Sequence, residues 1–249
     1  MSEPMIGKLA ELGIASPWLN VPGFLGYLLP AQLDFAAALG AFSPPLLTLT
    51  ARSPASDRTA LPFSGGVLLH TGLPNPGFAG ALRQYGQRWS RLAMPLWLNG
   101  MPADAAEAKE FSERVDELEY VAAYQITLPE GIPLQAKAEI LKASQGEKPF
   151  FVEIPLDELN SETLAVARKS GAYGVVLGAP RGSLLLGDRR VSGRLYGPAL
   201  YPQVVRAVEQ FSDCGLPVVA GCGVTSIEQG TDLLKLGAAA VQFDVSLWV

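Results

Sequence analysis

Short apolar runs alternate with amphipathic stretches along almost the whole chain. The apolar runs have the length of buried strands, and the stretches between them carry apolar residues at helical spacing or capping residues at their starts. This alternation predicts parallel strands covered by helices, and eight strands in about 250 residues favour a (β/α)8 TIM barrel over a doubly wound open sheet. The predicted strands are WLNVP, LLTLT, PLWLN, VAAYQITL, FFVEI, GVVL, PVVA and AVQF, and the predicted helices are Ala31–Ala41, Asn75–Leu92, Ala103–Leu118, Pro133–Ala143, Leu159–Gly171, Pro198–Phe211 and Ser226–Leu236.

Two long stretches between predicted elements show no regular pattern. They are Ala51–Gly66 and Gly178–Gly197, and both are expected to be irregular loops. In a barrel they would lie at the carboxyl ends of strands, which is the end where ligands bind. These two loops are therefore the first place to expect a binding site.

The last predicted strand, AVQF, is followed by only a few residues. A complete barrel has an eighth helix there, so the predicted fold is a barrel that lacks its final helix and needs another cover for its last and first strands. An apolar stripe near the N-terminus is expected to cover part of this surface, and a homodimer or a heteromeric partner is expected to bury the remainder. The residues concerned are Met5, Ile6, Leu9 and Leu12 in the stripe, and Leu247, Trp248 and Val249 after the last strand.

Composition indicates one globular domain covering residues 1–249. Hydrophobic residues make up 49% of the chain and charged residues 17%, which suits one large core. The apolar runs fall short of the roughly 20 residues that cross a bilayer, and the start lacks a signal-peptide pattern, so a cytoplasmic protein is expected. Two cysteines, Cys214 and Cys222, and the single His70 make no Cys/His metal set. A net charge of −5 provides no basic surface for nucleic acid.

The stretch LPVVAGCGVTS joins a predicted strand to a predicted helix through a glycine loop. Ser226 and Gln229 form a possible capping box, which places the start of the helix directly after the loop. Backbone N–H groups of such a loop, together with a helix N-terminus, make a cradle for a phosphate group. The sequence therefore predicts a binding site for a small molecule at the carboxyl ends of the last strands.

Three stretches resemble the dihydroorotate dehydrogenases, which are flavin-dependent barrels of pyrimidine synthesis. TGLPNPG is similar to their GLxNPG segment, GRLYGPALYPQVVRAV to their GGLSGPAxxPxALRxV segment, and VVAGCGVTSIEQGTDLLKLGAAAVQF to their phosphate-binding end. The resemblance implies a barrel that holds FMN over the carboxyl ends of its strands. The cofactor-binding positions that it implies are Pro22, Gly23, Asn99, Gly197, Gly221, Cys222, Gly223, Asp244 and Val245.

Aligned with that family, the chain replaces the side chains on which the reaction depends. Leu49 stands where the family has a lysine, and Leu69 lies near the position of an asparagine that holds substrate. The family's NxSxPN segment reads QITLPE here, so Leu128 takes the place of the catalytic base, while Gln125 and Glu130 replace asparagines. A leucine cannot remove a proton, so the sequence predicts no dihydroorotate oxidation and assigns no catalytic residue.

Two carboxylates stand where relatives have other groups. Glu153 replaces a lysine beside the flavin ring, where a negative charge would oppose an anionic reduced flavin. Asp244 follows the last strand, and a carboxylate about 6 Å from a phosphate would cost roughly 3 kcal/mol per unit charge at an effective dielectric near 20. If Asp244 faces the cradle, FMN affinity suffers; if it turns away, the cost disappears. After the sixth predicted strand, Gly178, Ala179 and Pro180 stand where relatives have an asparagine and a hydroxyl residue.

Several residues have both a functional and a structural interpretation. His70 is either a substitute base or a partly buried structural histidine, and Cys222 is either a reactive thiol or a small residue filling the space of a glycine. Glu130 and Glu153 are either a carboxylate pair for acid–base chemistry or the result of independent drift. The arginines of the sixth loop form either an anion site or a solvated face, and they are Arg181, Arg189, Arg190 and Arg194.

The sequence thus leaves functions of different classes open. The favoured hypothesis is a divergent barrel without dihydroorotate dehydrogenase activity that acts as a ligand-binding, regulatory or subunit protein, because the base, the lysines and the asparagines are all replaced. The alternative is an FMN-dependent oxidoreductase acting on another small substrate, which the surviving glycine loop, Asn99, Pro22, Gly23 and Gly197 favour. A weaker alternative is an enzyme that binds a different phosphorylated ligand at the same end of the barrel.

Overall fold

Parallel strands and covering helices alternate through the part of the chain that the computed structural model describes, residues 9–30 and 38–244. The strands are β1 (Trp18–Asn20), β2 (Thr59–Phe63), β3 (Gly66–His70), β4 (Leu96–Gly100), β5 (Val121–Thr127), β6 (Phe150–Pro155), β7 (Gly174–Gly178), β8 (Arg181–Leu186), β9 (Arg189–Tyr196), β10 (Val218–Ala220) and β11 (Ala240–Phe243). The helices are α1 (Phe78–Trp89), α2 (Ala105–Asp116), α3 (Leu134–Ala143), α4 (Ser161–Lys169), α5 (Tyr201–Phe211) and α6 (Ile227–Lys235), with a 3₁₀ turn at Pro198–Leu200.

Seven strands form a curled parallel sheet in the order β1-β11-β10-β7-β6-β5-β4. These strands coincide with seven of the predicted apolar runs. The eighth run, LLTLT, takes part only through isolated bridges such as that of Leu47 with Gly100, because the neighbouring Pro44 and Pro45 have no N–H to donate to a ladder. The sequence predicts a complete eight-stranded barrel. The structure has a curled sheet of seven strands, with an irregular segment in the place of the eighth.

The irregular segment, residues 40–47, makes backbone hydrogen bonds with both edge strands of the sheet. The N–H of Gly40 donates to the carbonyl of Trp18 in β1 at 2.8 Å. On the other side, the N–H of Leu47 donates to the carbonyl of Asn99 in β4 at 2.8 Å. The two edges of the sheet thus share one connecting segment, and the carboxyl ends of all these strands point to the same side of the molecule.

The helices begin where the sequence places side chains that cap them. Asp104 accepts hydrogen bonds from two N–H groups of the first turn of α2, and Asn160 forms a capping box with Thr163 at the start of α4. Ser226 accepts from the N–H of Gln229 at the start of α6, which confirms the helix predicted after the glycine loop. The predicted helix Ala31–Ala41 and the residues Met5, Ile6, Val245, Leu247, Trp248 and Val249 lie wholly or mostly outside the described residues.

A second, antiparallel sheet in the order β2-β3-β9-β8 stands over the carboxyl ends of the parallel strands. It arises largely from the two stretches predicted to be irregular loops, so that prediction was wrong. Both of its hairpins turn through two residues, one of which is a glycine with positive φ, Gly65 at 82° and Gly187 at 62°. Ser-Gly-Gly and Gly-Asp are hairpin signals that were present in the sequence.

The inside of the curled sheet is filled by large apolar side chains near the amino ends of the strands. Trp97 and Phe151 pack with ring centroids 4.4 Å apart, and Val176 and Val219 belong to the same cluster. Leu9 of the N-terminal segment packs against this interior cluster rather than against the outer faces of the last and first strands, as the sequence had suggested. None of the helices in the described ranges is long and apolar enough to cross a membrane.

Candidate functional site

Polar side chains form the next layer inside the sheet, towards the carboxyl ends of the strands. Because side chains alternate between faces, Asn99, Gln125 and Glu153 point the same way as the apolar residues two positions earlier. The amide of Gln242 donates to Gln125 Oε1 at 3.1 Å, and Gln125 donates to Glu153 Oε2 at 2.8 Å. The hydroxyl of Thr127 lies 2.5 Å from the same carboxylate oxygen and 3.0 Å from Asn99 Oδ1. This polar ring therefore converges on one buried carboxylate.

Glu153 forms a buried ion pair with Arg194, which reaches down from β9 of the antiparallel sheet. The Arg194 side chain is 15% exposed and that of Glu153 only 7%. Burial by itself raises the pKa of Glu153, but the charge of Arg194 and the hydrogen bonds from Thr127, Arg194 and Gln125 outweigh it and hold that pKa below its ordinary value. The negative charge expected at Glu153 is thus balanced by Arg194.

The predicted phosphate cradle holds a carboxylate of the protein itself. Oδ2 of Asp244 accepts hydrogen bonds from the N–H of Gly223 at 2.6 Å and from the N–H of Gly197 at 3.2 Å. Asp244 is completely buried. Of the two orientations considered from the sequence, the structure therefore has the one in which Asp244 faces the cradle.

Cys222 lies between the cradle and the polar ring and is fully buried. Its φ of 62° is in the left-handed region, and its Sγ lies 3.6 Å from the carbonyl oxygen of Gly178. Burial raises the pKa of the Cys222 thiol well above its ordinary value, and the carboxylates of Asp244 and Glu153 raise it further. The geometry thus favours a neutral, space-filling thiol over a reactive thiolate.

Two cavities open above the polar ring, and they differ greatly in size. The central cavity, lined by Asn99, Gln125 and Glu153 among others, has a volume of about 50 Å³, enough for a few water molecules. The mouth cavity above it measures about 490 Å³, which lies within the range of roughly 300–1,000 Å³ typical of small-molecule sites. Arg194 and Tyr196 line both cavities.

The mouth cavity is bordered by cationic side chains. Arg181 forms a close ion pair with Glu130, and Arg194 is paired with Glu153 below. Each of the two glutamates therefore has its own arginine partner, which argues against a carboxylate pair for acid–base chemistry. Arg52 also lines the cavity and is exposed, and none of the ion pairs of the described residues includes it.

His70 lines the mouth cavity but turns towards a carboxylate. Its Nε2 lies 3.1 Å from Asp57 Oδ1, and the other oxygen of Asp57 lies 3.1 Å from Arg189 Nη1. The side chain of His70 is 34% exposed. This arrangement favours a structural histidine that stabilises the loop before β2. Among the described residues, no contact of His70 supports the role of substitute base.

The structure brings most of the predicted site residues together. Pro22 and Gly23 line the mouth cavity, while Gly221 lies beside the polar ring, where an added Cβ would meet the carbonyl oxygen of Leu177 at 2.6 Å and Gln242 Oε1 at 3.0 Å. Leu128 is half-buried, packs against the hydrophobic core and lines a neighbouring cavity with Arg181 and Arg194. Sequence reasoning missed Arg52, Thr127, Tyr196 and Gln242, of which Thr127 and Gln242 follow from the alternation of β5 and β11. Among the described residues, no group of three or more metal-ligating side chains comes together.

Comparison with known proteins supports the resemblance seen in the motifs. No family model matches the chain. It is 24% identical to the catalytic subunit of dihydroorotate dehydrogenase B (NAD(+)) of Desulforudis audaxviator, over 94% of this chain and 83% of the relative. The corresponding subunit of Maridesulfovibrio salexigens is 26% identical over 94% of this chain and 84% of the relative.

Solved structures show the same fold. The dihydroorotate dehydrogenase of Eimeria tenella in complex with ferulenol has a TM-score of 0.66 at 14% identity, covering 94% of this chain and 77% of that chain. A mandelate oxidase variant with an FMN adduct has a TM-score of 0.53 at 16% identity, covering 92% of this chain and 64% of that chain.

Proposed function

We propose that this chain, a member of the dihydroorotate dehydrogenase-like proteins, is a binding protein for a small carboxylate-bearing molecule and does not oxidise dihydroorotate. The observation that carries the proposal is the mouth cavity of about 490 Å³ bordered by Arg52, Arg181 and Arg194. A guanidinium presents paired donors that match the two oxygens of a carboxylate. Arg181 and Arg194 are already paired with glutamates, so Arg52 provides the charge that a ligand would meet.

Neither Leu128, at the position of the family's base, nor the polar ring offers a suitable general base. Leu128 has no proton acceptor, and Glu153 is held ionised by Arg194, with Thr127 and Gln125 donating to it. A general base works best when its pKa lies near the working pH, and the pKa of Glu153 is displaced in the opposite direction. In this proposal, the curled sheet and residues 40–47 together make up a TIM barrel, and the ligand binds at its mouth.

The described residues do not fit FMN as they stand. The two cradle donors at Gly197 and Gly223 bind Asp244, and the space directly over the polar ring is only about 50 Å³. Family relationship favours the alternative of an FMN-dependent oxidoreductase with another substrate, since a solved structure of the same fold holds an FMN adduct. The proposal therefore rests on arginine chemistry at the mouth and uses no flavin.

Dihydroorotate turnover is expected to be absent. Loss of a general base alone lowers a rate by about 10²- to 10⁴-fold, and the family's lysines and asparagines are replaced as well. The measurement is dihydroorotate oxidation with a competent electron acceptor, in protein as purified and after incubation with FMN, with the visible flavin absorption recorded in parallel. Turnover at an ordinary enzymatic rate, or stoichiometric bound flavin, would favour the oxidoreductase instead.

Arg52→Gln is expected to weaken binding of a small carboxylate by about tenfold or more, because a hydrogen bond to a charged group contributes about 1.5–3 kcal/mol. Isothermal titration with dihydroorotate, fumarate and acetate measures the affinities. The matched control is Arg206→Gln on the exposed face of α5, away from the cavity, which should leave them unchanged. If wild-type protein binds none of the three carboxylates at millimolar concentration, the proposal fails.

A further inference from the structure

We infer that Asp244 is a built-in anion that keeps the phosphate cradle closed to phosphorylated ligands. The inference concerns the cradle alone and does not depend on what binds at the mouth. One oxygen, Oδ2, accepts from two N–H groups that belong to distant parts of the chain: Gly197 between β9 and α5, and Gly223 between β10 and α6. Backbone N–H groups that converge on one point are the donors that bind phosphate in other proteins.

The two donors are held in place by backbone conformations that glycine permits. Gly197 has φ 119° and ψ 172°, and Gly223 has φ 71°. The chain segments approach so closely that a Cβ on Gly223 would meet the N atom of Tyr201 at 2.8 Å, and one on Gly197 would meet the carbonyl oxygen of Gly65 at 2.7 Å. The cradle therefore cannot widen easily to admit a phosphate beside the carboxylate.

Asp244 is itself fixed in the position that closes the cradle. Its backbone N–H lies 3.3 Å from the carbonyl oxygen of Val224, in the loop that also supplies the N–H of Gly223. A phosphate oxygen that took the two N–H groups would have to displace the carboxylate and leave it buried beside a second negative charge. Repulsion between the two anions in this buried place opposes that exchange.

The same geometry leaves a latent phosphate site once the carboxylate is removed. In Asp244→Ala the two buried N–H groups lose their acceptor, which destabilises the protein. An oxygen of a phosphomonoester can then accept from both groups, and binding to the folded state restores stability. The cradle donors are thus intact, and one side chain occupies them.

The experiment compares wild type, Asp244→Ala and Asp244→Asn, with inorganic phosphate and FMN as probes and chloride at equal ionic strength as the salt control. Asp116→Ala is the control, because Asp116 also accepts hydrogen bonds from two backbone N–H groups, those of Glu147 and Lys148, at a place far from Gly197 and Gly223. Thermal midpoints and the amide resonances of Gly197 and Gly223 are measured. In wild type, neither probe should shift the amide resonances of Gly197 and Gly223.

For Asp244→Ala, we expect a thermal midpoint several degrees lower than wild type, raised again by phosphate but not by chloride. The Asp116→Ala midpoint should fall without rescue by phosphate. If phosphate raises the midpoint of Asp244→Ala and FMN does not, the inference is supported. The small central cavity then explains why FMN does not bind. A phosphate-induced shift of the Gly197 and Gly223 amides in wild type overturns it, as does a folded Asp244→Ala that ignores both probes. If Asp244→Ala does not fold, the neutral Asp244→Asn must bind phosphate at least tenfold more tightly than wild type.

Discussion

Arg194→Met is expected to destabilise the protein by about 3–5 kcal/mol at neutral pH, because it leaves a buried carboxylate without its partner. The partner is Glu153, which is 7% exposed and lies at the convergence of the polar ring. Chemical denaturation of both proteins measures the difference. Arg189→Met is the control on the same sheet: Arg189 pairs with Asp57 at the exposed surface, and its replacement should leave the midpoint nearly unchanged.

The pH dependence of this loss identifies its cause. In wild type the folded-state pKa of Glu153 lies below its ordinary value, so the pair contributes stability above about pH 4.3, the unfolded pKa, and that contribution is lost as pH falls through the folded pKa. In Arg194→Met, burial without a positive charge raises the folded-state pKa of Glu153 instead. The penalty is then greatest at neutral pH and shrinks as the pH falls towards the unfolded pKa.

The stability difference between wild type and Arg194→Met should therefore narrow on acidification. Parallel pH profiles would show that the loss comes from packing of the arginine side chain rather than from the unpaired charge. The double variant Arg194→Met with Glu153→Gln separates the two causes further, because the neutral amide removes the unpaired charge and keeps an oxygen that accepts from Gln125 and Thr127. We expect the double variant to regain most of the stability that the single variant loses.

The pattern of apolar runs predicted the central sheet because those strands are buried on both faces and read as uninterrupted hydrophobic segments. It failed at LLTLT, where Pro44 and Pro45 remove the donors that a regular strand needs. It also failed at the antiparallel sheet, whose strands β8 and β9 are half exposed and carry arginines and serines among their apolar residues. The feature of the sequence that predicts this sheet is its short glycine turns, which are typical of β-hairpins.

The candidate site was predictable where it depends on one strand and unpredictable where it joins two sheets. Ala240, Gln242 and Asp244 alternate along β11 and its end, so the inward direction of Asp244 was readable from Gln242. Glu153 likewise follows from the alternation of β6. Its partner Arg194 lies 41 residues further along the chain, on a strand whose sequence pattern predicts a loop, and no spacing rule links the two.

Gly197→Ala is expected to destabilise the protein by about 3 kcal/mol or more. Its φ of 119° and ψ of 172° fall in a region that is essentially restricted to glycine, where a side chain costs about 1–3 kcal/mol. An added Cβ would also lie 2.6 Å from the Cα of Gly66 and 2.7 Å from the carbonyl oxygen of Gly65, and both contacts are with backbone that cannot rotate away. Equilibrium denaturation gives the size of the loss.

Gly131→Ala is the control that separates the cost of steric contacts from the cost of a positive φ. Gly131 also has a positive φ, 67°, but a Cβ there meets nothing within 4 Å. We expect it to cost only about 1–2 kcal/mol, the penalty of a left-handed residue. Gly197→Ala should also move the N–H group that donates to Asp244 Oδ2. Because the N–H of Gly223 donates to the same oxygen, its amide resonance should shift in Gly197→Ala and not in Gly131→Ala. Equal losses in the two variants would mean that the segments at Gly65 and Gly197 can separate, and the cradle would then be far less rigid than its glycine contacts indicate.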